Sequence, residues 1–136
     1  MATMIFVNLP VENLAKASAF YTALGFTPNA QFSDENASSF VISDTIHVML
    51  LTKPFFKGFT NKEVADATAT TEVITALSAD SRAGVDDLAD RALAAGGTPS
   101  KDPMDESSMY SRSFQDLDGH LWEVMYMDMS AVTAQA

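Results

Sequence analysis

The sequence predicts an α+β fold made of two copies of a β-α-β-β-β module. Three observations carry this. Strand-like and helix-like runs follow one another in the same order in both halves of the 136-residue chain. "GFTP" (Gly25 to Pro28) and "GGTP" (Gly96 to Pro99) stand directly after the helix of each half, at matching places. Near the end, "SFQDLDGHLWEVMYMD" sets one carboxylate, Glu123, inside a strand-like run whose two faces are both largely apolar.

Residues 4 to 9, "MIFVNL", read as a first buried strand. "ENLAKASAFYTALG" follows as a helix: Asn13 is placed to cap it, Leu14, Ala17, Tyr21 and Leu24 keep helical spacing, and Gly25 ends it. Strands are then predicted around Phe26 to Phe32, Ser39 to Ser43 and Thr45 to Thr52. A connector opening with "KPFFKGF" leads to a strand over Glu72 to Ala79 and a helix over Val85 to Ala95, stopped by Gly96 and Gly97. Strands near Thr98, at Met109 to Phe114 and at His120 to Met127 complete the second round. The chain is therefore read as a single domain over 1–136, with module 1 at about 4–52, a connector at about 53–69 and module 2 at about 70–128. Phe55, Phe56 and Phe59 in the connector have the spacing of a short buried helix, and could also cover a binding face or a dimer seam.

Alternation along the last strand puts His120, Trp122, Val124 and Tyr126 on one face and Leu121, Glu123, Met125 and Met127 on the other. A carboxylate among Leu121 and Met125 must be paired, protonated, hydrogen-bonded or bound to a cation, because burying it bare costs several kcal/mol. Arg112 is the candidate partner. If the loop of the last hairpin holds an even number of residues, Arg112 and Phe114 share Glu123's face, and a four-residue loop sets Arg112 directly opposite. An arginine there would equally suit an anionic ligand.

Composition removes several classes of function. The chain has no cysteine, so disulfides, thiolate catalysis and cysteine zinc sites are excluded. A net charge of -10 argues against nucleic acid, since nothing could neutralise a run of phosphates. No apolar run approaches the length of a membrane span, and "MATMIFVNLP" lacks the basic start of a secretory signal, so no membrane association and a cytoplasmic location are expected. Ser-His-Asp spacing, a phosphate-cradling glycine loop and a dinucleotide fingerprint are all missing from the sequence.

"VENLAKASAFYTALGF" after the first strand and "DLDGHLWEV" near the end, set in paired β-α-β-β-β modules, resemble the vicinal oxygen chelate superfamily, the glyoxalase, bleomycin-resistance and extradiol dioxygenase group. The resemblance covers nearly the whole chain. It implies an incomplete barrel of two curled sheets around a cleft, usually completed in a homodimer. Enzymes of the group hold a divalent metal there, with His or Glu from the first and last strands of each module. Carried across, the last-strand carboxylate is Glu123, while the other three ligand positions fall on Phe6, Met49 and the neighbourhood of Ile74.

Each of those three has a polar residue two places away on the same strand face: Asn8 beside Phe6, His47 beside Met49, Glu72 beside Ile74. A displaced metal set of His47, Glu72 and Glu123, with Asn8, is therefore the alternative to no metal at all. His47 reads equally as a hydrogen-bonded interior histidine. The resemblance makes Phe6, Asn8, His47, Met49, Ile74, Arg112, Phe114, Leu121 and Met125 the expected cleft lining, with Glu123 the expected catalytic group in an enzyme.

Two functions follow. One is a protein binding a small molecule in the cleft without an intact metal site. The other is a metal-dependent lyase, isomerase or dioxygenase of the glyoxalase type, in which one divalent ion polarises substrate oxygens and Glu123 moves a proton.

Overall fold

Asn13 begins the first helix as its sequence suggests: its side-chain oxygen accepts a hydrogen bond of 3.0 Å from the Lys16 amide. In the computed structural model, which describes residues 2–130, the chain divides into two compact units between Asp66 and Ala67. The first contains β1 (Ile5–Val11), α1 (Leu14–Ala23), β2 (Thr27–Pro28), β3 (Ala37–Ser43), β4 (Ile46–Thr52) and the short α2 (Lys53–Lys57). β4 lies between β1 and β3, parallel to the first and antiparallel to the second, giving the order β1-β4-β3-β2. Helix α1 covers one face. Its Tyr21 ring lies 6.1 Å from that of Phe40, and its Ser18 hydroxyl donates to Ser38 at 2.7 Å. Strand alternation then sets Val48 and Leu50 on the helix side, where both are buried, and Phe6, Asn8, His47 and Met49 on the opposite face.

The second unit repeats this plan with β5 (Thr75–Ser78), α3 (Arg82–Ala94), β6 (Thr98–Pro99), β7 (Met104–Asp105), β8 (Met109–Gln115) and β9 (Leu121–Met127). β9 is parallel to β5 and antiparallel to β8, in the order β5-β9-β8-β6, and the short β7 also pairs with β8. Helix α3 packs Val85 and Ala89 onto Val124, and Trp122 and Phe114 are buried on the same side of the sheet. Filling this space is what holds α3 down. Truncating a buried aromatic such as Trp122 to alanine typically costs about 3–5 kcal/mol. The architecture is the α+β pair of β-α-β-β-β modules expected from the repeat. Among the described residues no helix is long and apolar enough to cross a membrane.

Three predicted elements differ. The strand expected over residues 26–32 ends at Pro28, because the Asn29 side chain accepts from the Gln31 amide at 3.2 Å and turns the chain into a single 3-10 turn at Ala30–Phe32. The strand expected over residues 72–79 is only Thr75–Ser78: its parallel ladder on β9 starts at Thr75 opposite Trp122, so Glu72 has no strand beside it. Helix α3 starts at Arg82 rather than near Val85, since the Ser81 hydroxyl accepts from the Gly84 amide at 3.0 Å and caps it.

The loop between β8 and β9 is built on one carboxylate. Asp116 is buried, and its Oδ1 accepts from the Asp118 amide at 3.0 Å and the His120 amide at 2.8 Å. Gly119 completes the turn at φ +86°, and a Cβ added there would meet the Ala67 carbonyl oxygen at 2.8 Å. Gly119→Ala is therefore expected to lower the unfolding free energy by about 2 kcal/mol or more, combining a left-handed backbone with a backbone clash. Denaturant unfolding reads this directly, and an unchanged midpoint would contradict it.

Candidate functional site

The last pair of the β8–β9 ladder is Gln115 with Leu121, so residues 116–120 form the loop. That is an odd number. Ser113 therefore stands opposite Glu123, and Arg112 opposite Val124. Arg112 and Phe114 lie on the helix-covered face with Trp122 and Val124, not on Glu123's face, and the expected pairing of Arg112 with Glu123 does not form. Phe114 is core. Arg112 instead donates to Asp86 at 3.1 Å and to Asp90 at 2.8 Å, two aspartates one helical turn apart on α3.

Tyr110 joins them, its hydroxyl donating to Asp86 at 2.6 Å. That hydroxyl, with Arg112 behind it and partial desolvation opposing, holds the Asp86 carboxyl below the usual aspartate range. The Arg112 guanidinium is held above its ordinary value, first by Asp90. Arg82 extends the cluster, lying 5.2 Å from the Tyr110 ring centre and bonding Asp105 at 2.6 Å. The network ties α3 to the sheet. Both of its arginines are already engaged by aspartates, so it is a brace and not a vacant anion site.

On the face of the second sheet away from α3, Glu123 is flanked along its own strand by Leu121 and Met125. Across the strands its neighbours are Ala76 on β5 and Ser113 on β8. Met125 has Ser78 and Ser111 in the same relation. Four short side chains thus surround the Glu123–Met125 pair. The Ser113 hydroxyl accepts from the Lys101 amide at 2.9 Å. Ser111 is only 7% exposed, and its hydroxyl makes no hydrogen bond to another described residue. The Glu123 carboxylate, half-buried, likewise has no hydrogen bond or ion pair among the described residues.

The helix-free face of the first sheet holds the other expected lining residues. Phe6 stacks on His47 with ring centres 4.7 Å apart, and Asn8 lies beside Met49. His47 is buried, and its Nε2 has no partner among the described residues, which costs about 1–3 kcal/mol relative to a satisfied ring nitrogen. Asn8 turns its amide onto the Phe6 carbonyl at 3.1 Å. Glu72 and Ile74 both precede β5 and are exposed. Among the described residues no group of three or more His, Asp or Glu residues is placed to hold a metal ion.

The sequence places Glu123, Leu121 and Met125 on one face of β9, as the structure has them, and does not by itself show that Ser111, Ser113 and Ala76 lie beside them. The signal for the two serines was the period of two in "YSRSF", which becomes readable once the loop is known to be odd. The i, i+4 spacing of Asp86 and Asp90 was also there to be read.

Because the Glu123 carboxylate has no partner among the described residues, Glu123→Gln is expected to change stability by less than about 0.5 kcal/mol. Arg112→Met should cost about 1 kcal/mol, a modest figure because its aspartate partners are solvent-exposed. In denaturant unfolding the double variant should show the sum of the two. A coupling above about 1 kcal/mol would restore the ion pair that the register denies.

The sequence profile of the Glyoxalase/Bleomycin resistance protein/Dioxygenase superfamily matches residues 3–124. A hypothetical protein from S. aureus is similar in structure at 29% identity, with a TM-score of 0.76 over 93% of this chain and 95% of that one. A glyoxalase/bleomycin resistance protein/dioxygenase family enzyme from Burkholderia phytofirmans PsJN matches at 17% identity and TM-score 0.75, over 93% and 99% of the two chains. A fosfomycin resistance protein from Mesorhizobium loti matches at 16% identity and TM-score 0.69, over 98% of each. No curated relative matches the chain in sequence. With the profile spanning both modules, the chain belongs to the Glyoxalase/Bleomycin resistance protein/Dioxygenase superfamily.

Proposed function

We propose that this protein binds a small organic molecule against the helix-free sheet face around Glu123, and does so without a resident divalent metal. The observation that carries this reading is the chemistry at the positions the superfamily resemblance assigns to metal ligands. Phe6 and Ile74 have no lone pair to offer, and the Met49 thioether is a soft donor suited to few divalent ions. Glu123 alone is a good ligand, and one carboxylate does not retain a metal against water. The donor set therefore does not fit the family's metal. A metal-dependent lyase, isomerase or dioxygenase would need ligands that these positions do not supply.

What remains is a surface of binding type. Leu121 and Met125 offer adaptable apolar contact, while Glu123 and Ser111 offer polar groups not used by the fold. The superfamily relative named for fosfomycin resistance is consistent with small-molecule binding on this fold. We also propose a homodimer. β1 is an edge strand of its sheet and leaves Met4, Ile5 and Phe6 about half exposed, a surface a second copy could cover.

Protein purified without chelators or affinity metal should carry less than about half an equivalent of divalent metal per chain and sediment as a dimer at micromolar concentration. A screen of small organic fragments, read by amide chemical shifts, should perturb β8 and β9 around Glu123. Near-stoichiometric metal would sink the metal-free reading, a monomer the dimer, and a screen without hits on that face the binding role.

A further inference from the structure

Within the strands of the second sheet, Glu123 is the one charged side chain on the face away from α3. A carboxylate offers acceptors only, so its natural complement is a donor-rich or positively charged group. Four features narrow that complement. Arg112, the one cation on the paired strands, is engaged by Asp86 and Asp90 on the opposite face and leaves Glu123 unmatched. Ser111, more than nine-tenths buried, presents a second oxygen on the same face with no partner among the described residues. Ala76 and Ser113, the short neighbours across the strands, let a ligand group come down to the level of the carboxylate. Leu121 and Met125 lie directly before and after along β9 and provide apolar contact at a distance of one strand repeat.

We propose that this face binds a small organic cation: a protonated amine that donates to Glu123 and Ser111, carried on an apolar body that lies on Leu121 and Met125. The proposal rests on the small-molecule reading above and adds the ligand's charge. The amine would bring to the Glu123 carboxylate the positive charge that no cation on the paired strands supplies. Polarisable methionine and leucine surface suits an aromatic or alkyl body. The chain's net charge of -10 draws cations toward the protein in general, so the specific and the general effects must be separated by experiment.

The experiment is an amide-shift NMR titration of the full chain with three probes of similar size: phenethylamine, the neutral phenethyl alcohol, and the anionic hydrocinnamate. The amine should bind at β8 and β9, with the alcohol weaker by about tenfold and the carboxylate without effect on that face. Glu123→Gln should weaken the amine by about tenfold and leave the alcohol within about twofold. Ser111→Ala should weaken the amine by about threefold. Asp44→Asn, which removes an equal charge from an exposed turn in the first unit, should leave amine affinity within about twofold.

Equal affinity for amine and alcohol, or an amine indifferent to Glu123→Gln, would overturn the cationic ligand while leaving the small-molecule reading standing. Equal losses in Asp44→Asn and Glu123→Gln would overturn it too, by reducing the binding to overall charge. Failure of all three probes to perturb the sheet would overturn the proposal, and the fragment screen would then decide whether the reading beneath it falls as well.

Discussion

The turn around Asp116 sets which residues of β8 face which residues of β9. The Asp116 carboxylate, accepting from the amides of Asp118 and His120, closes a loop over residues 116–120, and an odd loop sets Ser113 against Glu123. Because side chains alternate with a period of two, one residue more or less in that loop would exchange the two faces of β8. Arg112 would then come under Glu123, and Ser111 and Ser113 would be pressed against α3. The distribution of charge in the second unit depends on this one turn. Arg112 is spent on the helix side, where Asp86 and Asp90 bind it, and the Glu123 carboxylate has no partner among the described residues.

The arrangement gathers the charged contacts that brace the helix on one face of the sheet. The brace of Arg112, Tyr110, Asp86 and Asp90 works with the apolar contacts of Val85, Ala89 and Val124 to fix α3 on the sheet. None of those groups is needed on the other face. The side chains of Ser111 and Glu123 in turn make no hydrogen bond to another described residue, although their backbones belong to the sheet. Polar groups that do nothing for stability on a half-buried surface are typical of sites where an exchangeable ligand completes the hydrogen bonding.

Much of the fold could be read from the residues, and the reasons are local. Asn13 is a capping residue followed by helically spaced apolar side chains, so α1 declares itself. The shared "G-x-T-P" letters after each helix mark the repeat that the two sheets display with the same strand order. The faces of β9 followed from alternation alone. What could not be read was set by interactions beyond the window of any pattern. β5 is short because its partner begins at Leu121, and β2 is short because Asn29 turns the chain back on itself. The loop parity was open because "QDLDGH" admits several turns, and the turn that forms is held by the double acceptance of Asp116 together with backbone bonds between Asp116 and His120 and from Gly119 to Asp116. The candidate site inherits that limit: Glu123 was visible at once, whereas its serine neighbours and the true partners of Arg112 depended on the register.

The register of β8 on β9 is thus the central claim, and it can be measured without any ligand. Cross-strand nuclear Overhauser contacts between backbone protons report which residues face each other in an antiparallel pair. The account predicts contacts of Ser113 with Glu123, Phe114 with Trp122 and Arg112 with Val124. Contacts placing Arg112 opposite Glu123 would contradict it.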